Sequence, residues 1–264
     1  MKKGLKQPIR LVGLFVALGA SLSLMPNAFA GPVASVEQIQ GEVMINKAGS
    51  AMDLWPPVAE NTPIESGDSV KTQSGSCVLI YTDQAVIRLD ANTSVTAREE
   101  ADTQDIVLIL GNLKAQIDKQ KVTKPFQVVT PTAVGAIRGT DVDFGFNDQG
   151  LLTVDLKNGG PVQVFNDEAQ MNLNLTDGKK ISVSYNREKG LIRIKNDCSS
   201  NGKVEFNVLG TEYAANPCEE KEINLETAEG QTATPNTNTG NSGENEPNED
   251  GNPDDIPQPV SPTQ

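Results

Sequence analysis

This sequence predicts an all-β protein. Its short stacked strands would form either a β-solenoid-like coil or a sandwich, with a disordered acidic tail behind them. Three observations carry the prediction. Apolar and polar residues alternate with period two in many short runs, the pattern of a strand with one buried face. Glycine-containing turn signals separate those runs. No stretch of the body holds a convincing helical period, and residues 227–264 hold almost nothing that could be buried.

The chain opens on Lys2, Lys3, Lys6 and Arg10, followed by an apolar run at 11–25 (LVGLFVALGASLSLM). Pro26 and Asn27 break the run, and Ala28-Phe29-Ala30 places small residues at both recognition positions of a leader peptidase. Residues 1–30 therefore read as a signal peptide cleaved between Ala30 and Gly31. The run is short for a bilayer span, which needs about 20 apolar residues. A mature chain without a stable membrane span, periplasmic or secreted, is expected.

The strands follow in order. Ala85, Ile87 and Leu89 alternate with polar neighbours. Residues 104–117 come nearest to a helix, but Gly111 and frequent β-branched residues argue against one. Leu152, Val154 and Leu156 form the next run, then Met171, Leu173 and Leu175, then Ile181, Val183 and Tyr185, then Val204, Phe206 and Val208. Turn signals stand at Ser66-Gly67-Asp68, Asn158-Gly159-Gly160 and Asp177-Gly178. The last, between two alternating runs, predicts a type I′ hairpin. A loose repeat places glycine just before a strand at 40–45 (QGEVMI), 110–115 (LGNLKA) and 158–163 (NGGPVQ), without a fixed period.

Composition narrows the function. The chain has 264 residues, 22 basic and 35 acidic, a formal net charge of −13 and no histidine. Ser-His-Asp and Cys-His catalysis and imidazole metal sites are excluded. The negative balance argues against nucleic acid as a partner. No phosphate loop and no nucleophile–base signature is present, so no catalytic residue, metal or cofactor is expected and the chain does not read as an enzyme. Carboxylates cluster at 248–255 (NEDGNPDD), without the alternating ligands and closing Glu of a calcium loop, so a solvated tail is the reading there. Cys198 and Cys218 stand in polar, loop-like contexts. In an oxidising compartment they are expected to pair, closing a loop worth about 3 kcal/mol in the chain-entropy model. Cys77, within SCVLIY, reads as a buried free thiol.

Residues 36–146 resemble the FecR domain family. The resemblance runs in order through VEQIQGEVMI with its Gly41 step, Trp55, then PIESGDSVKT with Gly67 and Asp68. It continues through SCVLIYTDQAVIRL, Thr93-Ser94-Val95 and the Gly111 turn. It ends on FQVVTP and AIRGTDVDF, a T-P-x-A and R-G-T ending that is the most specific segment. One departure is Asp83-Gln84, where the family usually has Asp-Gly. Together with the resemblance, these readings divide the chain into a signal peptide (1–30), a FecR-like β domain (31–166), a β extension with the Cys198–Cys218 bridge (167–226) and the disordered acidic tail (227–264). Well-known members are anti-sigma regulators with a cytoplasmic sigma-binding region, and only ten residues precede the apolar run here. The resemblance thus implies the envelope-facing sensory module without the transcriptional arm, its partner another envelope protein.

Candidate partner-binding residues are Arg138, Thr140, Asp141, Asp143 and Trp55. Arg138 could offer a bidentate donor to a partner carboxylate, with Thr140, Asp141 and Asp143 beside it. In the structural reading Arg138 pairs with an internal acid and Gly139 supplies permissive backbone. Trp55 reads as core, or as a platform for sugar or peptide. Gly41, Gly67, Asp68, Gly111 and Gly139 read as structural. The expected function is a non-catalytic periplasmic sensing, signalling or protein-interaction module of the cell envelope, with a carbohydrate- or peptidoglycan-binding β module and a secreted structural protein as the alternatives.

Overall fold

The computed structural model describes residues 31–50 and 54–228; the signal segment, the end of the acidic tail and the cluster at 248–255 lie outside them. The described chain forms nineteen strands and one helical turn. The first group is β1 (Ala34–Gln40), β2 (Val43–Asn46), β3 (Pro63–Ile64), β4 (Ser69–Thr72), β5 (Ser76–Tyr81), β6 (Val86–Leu89) and β7 (Ser94–Glu99). The long β8 (Gln104–Gln116) leads to β9 (Phe126–Val129), β10 (Val134–Ile137), β11 (Thr140–Phe146) and β12 (Leu151–Gly159). The last group is β13 (Val162–Asn166), β14 (Met171–Leu175), β15 (Lys180–Asn186), β16 (Leu191–Asn196), β17 (Val204–Val208), β18 (Thr211–Ala215) and β19 (Glu220–Asn224), closed by the turn α1 (Leu225–Ala228).

The strands make two ladders. Ladder A runs β3-β1-β5-β6-β8-β11-β12-β15-β16-β19. Ladder B runs β2-β4-β7-β8-β9-β10-β13-β14-β17-β18. Every pairing is antiparallel except β8–β9. Strand β8 belongs to both: Gln104–Leu110 pairs in ladder B, and Gly111–Gln116 pairs in ladder A. The network is therefore continuous and wraps one core like a flattened barrel. The runs read from sequence supply that core. Ile87, Leu89, Leu152, Val154, Leu156, Leu175, Ile181, Val183 and Val208 are fully buried. At about 25 cal/mol per Å² of apolar surface removed from water, such residues dominate the folding free energy.

The all-β expectation holds, as one nearly closed barrel-like sheet whose two ladders pack against each other across the core. The Tyr81 ring of ladder A meets the Phe126 ring of ladder B edge-on, with centroids 5.0 Å apart. Phe144 of ladder A lies against Gly135 of ladder B so closely that a Cβ there would overlap its ring.

Successive hairpins alternate between ladders, so the chain crosses the core edge repeatedly. Gly41, Gly111 and Gly139 stand at three crossings with φ of 76°, 99° and 81°. The loose glycine repeat is thus a record of crossings, and the absent fixed period reflects unequal hairpin lengths. At Gly111 the requirement is double, since a Cβ would also lie 2.5 Å from Thr93 Cα. Crossing also corrects one expectation: Asp177-Gly178 is not a hairpin. Strand β14 pairs with β13 and β17, and β15 pairs with β12 and β16, so Asp177-Gly178 carries the chain from ladder B to ladder A. The two-residue turn with both φ positive is Leu209-Gly210, at 51° and 79°.

No helix among the described residues is long and apolar enough to cross a membrane. Cys198 and Cys218 form the expected disulfide, tying the loop after β16 to the loop before β19. Cys77 is free and buried, and burial pushes its thiol up to about 12, so it carries no thiolate reactivity at neutral pH. Both cysteine expectations hold.

The β5–β6 turn and the β8 bend give two opposite predictions. Gln84 holds φ of 66° on an exposed turn where the FecR resemblance favours glycine. Gln84→Gly is expected to stabilise by up to about 1 kcal/mol, relief of left-handed strain outweighing added unfolded-state entropy. Gly111→Val is expected to cost about 2–4 kcal/mol. Urea unfolding midpoints measure both, and two unchanged midpoints would refute this account of the turns.

Candidate functional site

The motif residues divide into those that tie the fold together and those that reach solvent. Asp68 is 1% exposed. Its carboxylate accepts from Lys47 Nζ at 2.7 Å, Ala48 N at 2.9 Å and Glu65 N at 2.8 Å. Gly67, with φ of 95°, makes the turn that delivers Asp68 to these donors. Four residues on, Thr72 donates to the Asp90 carbonyl at 2.6 Å and accepts from Thr93 N at 2.9 Å. Thr93 in turn accepts from Asn112 N and donates to the Asn112 carbonyl, both at 3.0 Å. The G-D-x-V-x-T run therefore works as a chain of clips from β4 to the β8 bend.

The T-P-x-A segment does the same at hairpin ends. Thr130 Oγ1 closes its own turn by donating to the Ala133 carbonyl at 2.7 Å. Thr132 Oγ1 donates to the Gly150 carbonyl at 2.6 Å. Asn166, which sequence reasoning did not single out, donates to the Thr132 carbonyl at 2.6 Å and accepts from Ala169 N at 2.7 Å. Three hairpin ends meet through these side chains.

The R-G-T segment does not form one site. Arg138 follows β10 on the outer face of ladder B, Gly139 crosses between ladders, and β11 then runs in ladder A. Thr140 is 4% exposed and donates to the Asn158 carbonyl at 2.6 Å, which removes it from any partner-binding set. Asp141 and Asp143 emerge half-buried on the outer face of ladder A. The expected grouping of Arg138 with Thr140, Asp141 and Asp143 is thus divided by the crossing. Arg138 is exposed and has no ion pair among the described residues, so its expected pairing with an internal acid is also corrected.

Asp143 belongs to a row of charges across ladder A, in which Lys114, Asp143, Asp155 and Lys180 are successive cross-strand partners. Burial pushes the Asp143 carboxyl above its ordinary range, while Lys157 and Lys114 pull it back. Asp143 and Asp155 share an open sheet face and do not oppose each other across a cleft, as glycoside hydrolysis would need. Trp55 is half-buried rather than core, with Lys71 Nζ 5.9 Å from its ring centroid. It lies beside β2, far along ladder B from Arg138.

The outer face of ladder B differs in chemistry. Its outward positions on β9, β10, β13 and β14 are Gln127, Ala136, Gln163, Phe165, Asn172 and Asn174. They floor a groove of about 950 Å³. Lys119, Arg138 and Pro161 close one end, and Asp167 and Gln170 the other. A second depression of about 890 Å³ shares Asn172 and Asn174 and extends to Lys179, Lys203 and Tyr213. Amides and small apolar groups thus form the floor, and exposed cations stand at one end. The floor was legible as outward positions of alternating strands, but nothing in sequence said that these strands were neighbours.

Residues 68–160 match the FecR protein family. The FecR match begins at Asp68 and contains the Thr72, Thr93, Thr132 and Thr140 clips and one end of the groove. Two crystal structures of a Parabacteroides distasonis ATCC 8503 protein, described as an anti-sigma factor, align with part of this chain. Each shows 18% identity and a TM-score of 0.39 over 56% of this chain and 59% of that one. The present chain therefore spans less than two thirds of that protein's length. No curated relative matches.

Within the FecR segment, clips and solvent-facing residues should respond differently to mutation. Thr140→Val leaves the Asn158 carbonyl without its donor and is expected to cost about 1–3 kcal/mol. Asp68→Ala, which orphans three donors, should cost about 2–4 kcal/mol. Arg138→Ala should stay within about 0.5 kcal/mol of wild type. Urea unfolding of the three variants checks this order, and a destabilised Arg138→Ala would contradict it.

Proposed function

We propose that this chain is a non-catalytic sensing or signalling module of the bacterial cell envelope. It captures another envelope protein through the groove on the outer face of ladder B. Arg138 carries the reading: it is an exposed guanidinium without an ion pair among the described residues, at the end of a neutral amide-lined floor. Arg98, Arg187 and Arg193 are engaged with acids at 2.6–3.3 Å, and Arg88, the other exposed guanidinium without an ion pair among the described residues, borders no such groove. A guanidinium held apart from its own acids is available to a partner carboxylate. The FecR match supports a regulatory role, and the leader-like segment at 1–30 supports export to the periplasm or beyond.

A second reading, binding of a wall glycan, draws on the row Gln163, Asn172 and Asn174, whose amides suit vicinal hydroxyls, with Phe165 beside them as an apolar surface. Tagged exported protein, crosslinked and captured from its own envelope fraction, separates the two. The expected result is one reproducible protein partner, lost at least tenfold in Arg138→Glu at unchanged melting temperature. Retention on purified sacculi without a protein partner would replace the first reading with the second.

A further inference from the structure

We infer that the groove on ladder B is filled, when no partner holds it, by the acidic segment 244–255 of this same chain. The inference rests on the groove being the partner site and adds how access to it is set.

Three observations meet here. The first is charge. Residues 244–255 (ENEPNEDGNPDD) carry six carboxylates and no base. A chain of net charge −13 repels such a segment from most of its surface. The second is availability. Lys47, Lys124, Lys157, Arg187, Arg193 and Lys203 already have acids within 4.0 Å, and Lys71, Arg88, Lys189 and Lys195, exposed without an ion pair among the described residues, do not border the groove. Lys119 and Arg138 are exposed, have no ion pair among the described residues, and stand together at one end of the same concavity. The floor between them and Asp167 brings no carboxylate of its own. The third is reach. The described chain ends at Ala228, and residues 229–243 span up to about 50 Å when extended. A domain of this size is about 40 Å across.

The energetics need little. A tethered segment acts at an effective concentration on the order of millimolar, so millimolar intrinsic affinity half-occupies the groove. Segment 244–255 has no aromatic or aliphatic residue, so its attraction is electrostatic and falls steeply with salt. A partner with a carboxylate plus apolar contacts for Phe165 displaces it, and the tail sets a threshold for capture.

A carbodiimide joins a carboxylate to a lysine amine as an amide with loss of water, activated by the carbodiimide, which leaves as its urea. Full-length exported protein is treated at low salt, and monomer is digested and mapped by mass spectrometry. Lys119 is expected to carry crosslinks to 244–255 at least tenfold above the exposed Lys189 and Lys195. Those crosslinks should fall about tenfold in 0.5 M salt, roughly a 4 Å Debye length, and about tenfold in Arg138→Glu. Crosslinks spread evenly over the lysines, or none at Lys119, overturn the inference. Neutralising the six acids to Gln and Asn should strengthen envelope-partner capture at least threefold. If Lys119 crosslinks form as expected but Arg138→Glu leaves capture intact, the tail docks and the partner site lies elsewhere. If Arg138→Glu abolishes capture while Lys119 shows no enrichment, the groove is the partner site and the tail does not guard it.

Discussion

One apolar core is shared by two ladders, and every hairpin after the first must leave one ladder and join the other. That constraint organises the rest. A crossing needs a backbone that turns sharply at close quarters, which is why Gly41, Gly111 and Gly139 hold positive φ where they stand. It also leaves carbonyls and amides at each sheet edge without ladder partners, and buried polar groups must be paired. Asp68, Thr72, Thr93, Thr132, Thr140 and Asn166 supply the missing partners with short side chains that reach backbone one strand away. Much of the FecR pattern is therefore the chemistry of crossing a core, and its recurrence in one segment needs no ligand to explain it.

The same constraint decides what faces outward together. Residues adjacent in sequence part at a crossing: Arg138 goes to one outer face, and Asp141 and Asp143 go to the other. Residues far apart meet: Lys119 after β8, Arg138 after β10 and Asn174 of β14 border one groove. Ladder A displays paired charges, which solvate a surface and discourage adhesion. Ladder B displays amides, Phe165 and a guanidinium without an ion pair among the described residues. Of the two faces, the second sets that guanidinium at the end of a neutral, amide-lined groove.

This explains how far the sequence could be read. Strand identity and the core face were legible because period-two alternation is local, and Leu152, Val154 and Leu156 lie buried as their spacing requires. The disulfide and the buried Cys77 were legible from context. Strand partnership was not, because Asp177-Gly178 has the composition of a hairpin turn whether the chain folds back in its own ladder or crosses to the other. For the same reason R-G-T looked like one constellation. Trp55 was placed in the core on general tendency. Its position over the edge of β2, beneath Lys71, depends on a pairing between distant segments. The groove depends on four strands meeting through long-range register, which no local pattern encodes.

The proposed functional surface is the outer face of ladder B and not that of ladder A. A photoreactive phenylalanine placed singly at Gln163 on ladder B, or at Lys157 on ladder A, tests this most directly. Both positions are exposed, so neither should disturb folding. Irradiation in the native envelope is predicted to trap a specific adduct from position 163 and none from position 157. An adduct formed from position 157 alone would contradict the account and return attention to the charged row around Asp143.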